Sequence, residues 1–412
     1  MELEAHLLGT SSARPANGRE VSGSIVIVGK YQIAIDAGEG FQTRLKKQAQ
    51  VLKNAKWETR ISHTRLDAIA LTHGHLDHCW GVLPMLLSMG LDCKKNPLSV
   101  LAPLHHDAYI ALVKDGMDAK MPDSVPTVDL INQMRFWWAH LFNKISPEDM
   151  FPIFWYTVSW IDGEEKWLQL DPQNGTVSQL STPPKPIGPH SLTPHQTIHS
   201  VPSCGWRITS ADRLGKFNAK RSAELGLSHN QISKLANGED ITYVATSATT
   251  SSATTSSATT SSATTGVISV ANEILLASDF RGPSTSGVSI LITGDTGADA
   301  PELLALAKAA PLNLLIHEST YSDSYQTNAI NYLHSTSRDA AKVATKIAAE
   351  NLVLTHYSSR FVKTEIPLTE AREDHPRVHA GEDGDIFQIE RDGSLKIFRI
   401  SDGSPSQIFE PF

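Results

Sequence analysis

Three cysteines in 412 residues are too few for a disulfide framework. Cys79, Cys93 and Cys204 are odd in number and widely spaced, which excludes the pattern of a small secreted scaffold. Long apolar runs are missing too. No stretch reaches the ~20 residues that a membrane helix needs, and the opening "MELEAHLLGTSSARP" lacks the basic region and apolar core of a secretory leader. The expectation is a cytoplasmic protein with no membrane segment. Nor is there an excess of positive charge. The formal net charge is −8, whereas phosphate binding usually leaves a basic footprint, so any polyanion must be met by local clusters of Lys and Arg. With 40% hydrophobic and 19% charged residues, the chain has ample material for a large core.

What the chain does have is histidine concentrated in one turn. "LTHGHLDHCWG", residues 71–81, places His73, His75, Asp77 and His78 within six positions. The preceding "LDAIALTH" (66–73) is an apolar run of strand length, so the cluster starts where a strand ends. Upstream, "SIVIVGKYQIAID" (24–36) reads as a hairpin turning at Gly29-Lys30. It runs into "DAGEG", a tight turn before a helix. Three later segments repeat the design: "SILITGDTG" (289–297), "NLLIHEST" (313–320) and "NLVLTHYSS" (351–359) are apolar strands ending in polar or ionisable residues. Between them "PELLALAKAA" and "SRDAAKVATKIAAE" carry helical spacing, the second with Ser335, Thr336 or Ser337 placed to cap it. Strands alternating with helices, with reactive side chains at strand ends, predict a layered α/β domain whose site lies along one sheet edge.

Three segments read differently. "RLKKQAQVLKNAKWETR" (44–60) gathers Arg44, Lys46, Lys47, Lys53, Lys56 and Arg60 with no acid before Glu58. It reads as the solvated basic face of a helix rather than a phosphate contact. Residues 105–195 hold "MRFWWAHLFN" and "FPIFWYTVSWIDGEEKWLQL", whose aromatics predict the core of an inserted lobe. Residues 246–265, "TSATTSSATTSSATTSSATT", repeat a five-residue unit. Ser, Thr and Ala alone bury too little surface to offset chain entropy, so a disordered loop is expected there.

The histidine cluster has a chemical use. His73 and His75, two apart, can face one side of a strand-to-helix turn, while Asp77 and His78 address a second point nearby. Imidazole nitrogen and carboxylate oxygen suit zinc without a thiolate, and Cys79 carries the wrong phase. Two close metals need about seven protein ligands, with a bridging position left for water. Asp295 in "TGDTG" is an isolated acid after an apolar strand, and its two oxygens can bridge two ions. His356 follows another apolar strand. One further histidine is required, and spacing alone leaves His190, His195 and His199 open.

With these residues in view, the chain resembles the ribonuclease Z (tRNA 3′-endonuclease) family, short form, of the metallo-β-lactamase superfamily, almost end to end. "LLGTSSARP" is similar to the family's N-terminal Leu-Gly-Thr turn and "IDAGEGFQ" to its Asp-Cys-Gly-Glu-Gly-Thr-Gln segment. "LTHGHLDHCWGVLPMLLSM" matches the His-x-His-x-Asp-His motif and its continuation, and "HSVPSCGWRI" the later His-x-Val-Pro-x-x-Gly-Tyr-Arg-Ile. "GDT", "LLIHEST", "HST" (334–336) and "LTHYSSRF" follow in the family's order.

The resemblance implies a metallo-β-lactamase fold, an αββα sandwich formed by residues 1–412 as a single domain. It places an enlarged insertion at 105–195 and a tRNA-binding arm at 207–245. It selects His199 over its neighbours. It implies two zinc ions, with manganese as the alternative: one held by His73, His75 and His199, the other by Asp77, His78 and His356, with Asp295 bridging. Asp77 is expected to orient the nucleophile as well, and His334 matches the residue that contacts the scissile phosphate and helps the leaving oxygen depart. His317 and Glu318 match a pair that supports the ligands. Lys216, Lys220, Arg221 and Lys234 fall in the arm as phosphate contacts. A homodimer is implied, acting on tRNA precursors and leaving a 3′-hydroxyl on the tRNA and a 5′-phosphate on the trailer. Zinc suits that reaction because it lowers the pKa of bound water from about 16 toward about 7.

The sequence departs from the family in the arm, where the Gly-Pro element is replaced by "SHNQISKLANGED", and at Ala37, which stands for the family's Cys. Two other readings therefore stand beside tRNA processing. One is a phosphodiesterase of the same fold acting on small or cyclic nucleotide substrates, against which "HST" and "LTHYSSRF" weigh. The other is a non-catalytic RNA-binding relative, which the complete ligand set disfavours.

Overall fold

The structure is a computed structural model and describes residues 1–144, 150–246, 270–306, 311–401 and 403–409. The repeat expected as a loop at 246–265 lies outside the described residues except for Thr246, which ends strand Ile241–Thr246. The chain forms two compact units, Met1–Ala211 with Val288–Phe412, and Asp212–Gly287. Among the described residues no helix is long and apolar enough to cross a membrane.

The larger unit is built on two sheets. Strands Gly23–Val28 and Tyr31–Ala37 pair antiparallel around Gly29, whose φ of 58° the tight turn requires. They belong to an eleven-stranded sheet in which Tyr31–Ala37, Ala68–Ala70, Leu98–Pro103 and Ile153–Ile161 run parallel. A six-stranded sheet contains Ser289–Ile292, Leu314–Glu318, Leu352–Thr355 and Val378–Ala380, also parallel. Alternation sorts the side chains. Leu3, Val26 and Ile33 of the large sheet share one buried cluster with Trp206, Ile290, Ile316 and Val353 of the small one. The outer face of the large sheet is covered by helices Phe41–Asn54, Val82–Leu91 and Leu130–Lys144, and that of the small sheet by Ser337–Lys346 and Glu365–Arg372. The result is the expected helix–sheet–sheet–helix sandwich. Trp206 is fully buried at its centre, and its Nε1 donates to the Leu71 carbonyl at 2.9 Å. That bond ties the small sheet to the loop that delivers His73. Truncating Trp206 to Ala would cost about 3–5 kcal/mol by the cavity left behind.

Two boundaries differ from the sequence reading. Residues 105–195 are not a separate lobe. Their strands Ile153–Ile161, Glu164–Asp171 and Thr176–Leu180 extend the large sheet beyond Leu98–Pro103, and Trp137, Trp138 and Trp155 join the main core beside Met85 and Leu86. Apolar strand edges gain more by pairing with an existing sheet than by forming a small core alone. The bounds 207–245 expected for an arm do not coincide with those of the second compact unit, Asp212–Gly287. Arg207 is buried in strand Cys204–Thr209 and donates to Ser289 Oγ and the Pro311 carbonyl, each at 3.0 Å. The second unit closes with strand Val270–Leu275 pairing antiparallel to Ile241–Thr246. Its core is Leu227, Leu235, Ile241, Ala277 and Phe280. "SHNQISKLANGED" forms helix His229–Ala236 within it, capped by a reciprocal Ser228–Gln231 pair.

Candidate metal centre

The centre lies where strand ends of both sheets meet. Strand Ala68–Ala70 gives way through His73 and His75 to the short helix Leu76–Cys79. His75 is still extended (φ −67°, ψ 149°) while Asp77 and His78 are helical, so one turn aims donors at two nearby points. The small sheet supplies Asp295 after Ser289–Ile292 and His356 after Leu352–Thr355, and the loop before Cys204–Thr209 supplies His199. The two sets of turns meet at Gly294, at φ +62°, where an added Cβ would lie 2.5 Å from Thr72 Cβ. His356 (φ 59°) and Asp36 (φ 58°) are non-glycine residues in the left-handed region, a strain of about 1–3 kcal/mol each that the surrounding packing must hold.

All seven residues expected as ligands come together. The donor atoms of His73, His75, His199 and Asp295 lie within 4.8 Å of one another, as do those of Asp77, His78 and His356. The carboxylate of Asp295 is shared between the groups. Its Oδ2 lies 3.8 Å from His73 Nε2 and 3.9 Å from His199 Nε2, and its Oδ1 lies 3.3 Å from His78 Nε2 and 3.2 Å from His356 Nε2. That Oδ1 is buried with no hydrogen-bond partner among the described residues. His190 and His195 stay outside: His190 Nδ1 accepts the Ala211 N–H at 3.0 Å, and His195 sits in strand Ser191–Gln196.

Hydrogen bonds behind the ligands set which nitrogen points inward. His78 Nδ1–H donates to Asp36 Oδ2 at 2.7 Å, and His199 Nδ1–H donates to the Leu333 carbonyl at 3.1 Å. Thr72 Oγ1 donates to Asp36 at 2.8 Å, leaving its lone pairs to accept His73 Nδ1–H at 3.1 Å. Thr320 Oγ1 donates to Glu318 at 2.6 Å and accepts His356 Nδ1–H at 3.0 Å. With each Nδ1 engaged, the Nε2 lone pairs of His73, His78, His199 and His356 converge, joined by His75 Nδ1 at 3.0 Å from His73 Nε2 and 3.1 Å from His199 Nε2. Converging lone pairs and carboxylates repel unless a cation lies between them, so the donor set fits divalent metal ions.

The charges agree with that fit. Burial opposes charging His78, yet Asp295, Asp77 and Asp36 outweigh it and hold its pKa well above the ordinary value. Asp77 is also buried, but His78 and His356 keep its carboxyl well below the usual range. Its Oδ2 accepts the Ala13 N–H at 2.8 Å. Burial likewise disfavours a charged His334, and the Glu318 carboxylate at 2.8 Å overrides it, raising the imidazole to about 9.

Sequence reading missed Asp36 and Thr72. Asp36 ends an apolar strand much as Asp295 does, and that signal was available. Thr320 was quoted only as part of a motif. Of the pair expected to support the ligands, Glu318 accepts the Thr296 N–H at 2.8 Å besides the bonds from Thr320 and His334. His317, one residue away on the strand, faces the other way, and its Nδ1 donates to the Glu318 carbonyl at 2.8 Å. Cys79 is buried with its thiol toward the Gly74 carbonyl, and burial pushes its pKa up, so it is no ligand. Lys216, Lys220, Arg221 and Lys234 are exposed on the second unit, Arg221 also donating to the Asp279 carbonyl at 2.9 Å.

The centre opens into a cleft of about 510 Å³ lined by His75, His199, His334, Arg14, Tyr321 and Arg360. No protein-family model matches the chain. Among curated proteins, ribonuclease Z of Myxococcus xanthus is 26% identical over 376 residues, covering 90% of this chain and 93% of that protein. Ribonuclease Z of Nitrosopumilus maritimus is 24% identical over 384 residues, covering 93% and 98%. The crystal structure of a long-form RNase Z from yeast superposes with a TM-score of 0.50 and 17% identity, covering 93% of this chain and 41% of the yeast chain. In sequence the chain resembles ribonuclease Z along most of its length, and it has the metallo-β-lactamase fold. The ribonuclease Z likeness spans both sheets and the second unit, and the whole metal centre falls within it.

Proposed function

We propose that the chain removes 3′ trailers from tRNA precursors by metal-dependent hydrolysis of a single phosphodiester bond. The observation that carries this reading is the division of Asp295 between two donor groups, with His334, hydrogen-bonded to Glu318, beside them at the cleft. His73, His75 and His199 are assigned to one ion, Asp77, His78 and His356 to the other, and Asp295 to both. Zinc suits these ligands, with manganese as the alternative. The ions would supply water activation at neutral pH and neutralise charge on the phosphate oxygens.

The remaining work falls to the chain's own groups. Asp77, fixed by the Ala13 N–H, is placed to orient the attacking water. His334 keeps its Nδ1 proton on Glu318, which leaves Nε2–H to donate to the departing 3′-oxygen. A residue in that role typically contributes 10²–10⁴-fold. Glu318 acts through His334 and does not touch substrate. Lys216, Lys220, Arg221 and Lys234 would grip the precursor's backbone, and we propose that two copies of the chain form a homodimer.

A substrate comparison tests the reading. A 3′-extended tRNA precursor should be cut near the discriminator base, with a rate that falls steeply with salt as phosphate contacts release counterions. Neutralising the four arm cations should raise KM for the precursor and leave hydrolysis of a small chromogenic phosphodiester unchanged. Efficient turnover of small or cyclic phosphodiesters with the precursor ignored would replace this reading by the second one. The capped helix His229–Ala236, standing where the family's arm has a Gly-Pro element, is the observation that keeps that second reading in play.

A further inference from the structure

The parallel strands that deliver the metal centre at one end carry a different cavity at the other. It encloses about 670 Å³ beside the starts of Tyr31–Ala37, Leu98–Pro103 and Ile153–Ile161. The linings of this cavity and of the metal cleft share no residue, so the two are separate. Its size falls in the range that small-molecule sites occupy.

Its lining is unlike the rest of a chain with net charge −8. Lys30, Arg65 and Lys185 all line it, all are exposed, and none makes an ion pair among the described residues. The one acid on the wall, Asp67, is already engaged, its Oδ2 accepting the Gln32 backbone N–H at 2.9 Å. Phe154 and Tyr156 project from the same face of one strand, ring centres 6.5 Å apart and planes 28° from parallel. Phe154 is 39% exposed, a large apolar ring left in water. Tyr31 adds a third ring, with Lys30 Nζ 5.3 Å from its centre. Gln32 also lines the cavity and is 6% exposed; its Nε2 donates to the Arg60 carbonyl at 2.7 Å, which fixes the amide and leaves Oε1 with no partner among the described residues.

Cations and exposed rings are the elements that a phosphate and a base face require. We propose that this cavity binds a nucleotide, stacking its base on Phe154 and Tyr156 and its phosphate between Lys30, Arg65 and Lys185. The same chemistry is offered by a free nucleoside monophosphate and by an unpaired nucleotide of an RNA. The proposal does not depend on the reading of the metal centre.

Titration calorimetry on the full chain tests it, using AMP, adenosine, inorganic phosphate and a 5′-phosphorylated pentaribonucleotide. AMP should bind at least tenfold more tightly than adenosine or phosphate. Its affinity should fall at least tenfold in Phe154→Ala and in the triple variant Lys30→Glu, Arg65→Glu, Lys185→Glu. Both variants should hydrolyse a small chromogenic phosphodiester at the wild-type rate, which reports an intact fold and metal centre. A pentanucleotide bound more tightly than AMP, through the same residues, identifies RNA as the source; equal or weaker binding identifies the free nucleotide. AMP affinity unchanged in both variants would overturn the proposal, and so would inorganic phosphate binding as tightly as AMP.

Discussion

Asp36, Asp295 and His334 differ in what each can be asked to lose. Asp295 faces both donor groups, so Asp295→Asn should release both ions together; elemental analysis finding one ion still tightly held would refute the bridging assignment. Asp36 touches neither group with a free oxygen, yet it anchors His78 Nδ1 and Thr72. Asp36→Asn should weaken metal affinity by about 10–100-fold, as loss of an orienting partner typically does, and competition with a chromogenic chelator reads that directly. His334 stands to one side of both groups. His334→Ala should lower kcat by roughly 10²–10⁴-fold while metal content stays at the wild-type level. Equal loss of metal and turnover would make it a ligand instead.

Elements were legible where local signals were strong. The hairpin at Gly29, the strand before His73 and the cap of Ser337–Lys346 all follow from patterning, the last resolved to Thr336 with Asp339 as its reciprocal partner. His199 could not be told from His190 and His195 by spacing, because the choice depends on how far strand Ser191–Gln196 runs before the chain turns. The helix at Leu130–Lys144 was masked by its aromatics. Its entry is set by Asp129, whose Oδ1 accepts the Ile131 N–H at 2.9 Å and Oδ2 the His105 N–H at 3.1 Å. Burial pushes this carboxyl up to about 6 against those two donors. A raised folded-state pKa means that its contribution is fully present below pH ~4 and is lost as pH rises through 6. Between pH 5 and 7.5 the wild type should therefore lose about 1.4 kcal/mol relative to Asp129→Asn. Paired urea melts would show it, and a pH-independent difference would mean that the carboxyl titrates normally.

At the scale of the molecule, the metal centre is a joint between sheets as well as a site of chemistry. His73, His75, Asp77 and His78 leave the large sheet, while His199, Asp295 and His356 leave the small one. No sequence pattern announces that pairing, since it exists only once the sheets have stacked around Trp206. Each proposed ion then has ligands from both sheets and binds only the stacked state. An ion present at about a thousandfold over its Kd adds about 4 kcal/mol to the folded state. At roughly 2–4 °C per kcal/mol for a domain of this order of size, stripping the metal should lower Tm by on the order of 10 °C, and adding zinc should restore it. The same fall should appear in Asp295→Asn without chelator, and no added metal should reverse it there. A chain stripped of metal that melts at the native temperature would show that apolar stacking alone holds the sheets, and that the ions serve chemistry only.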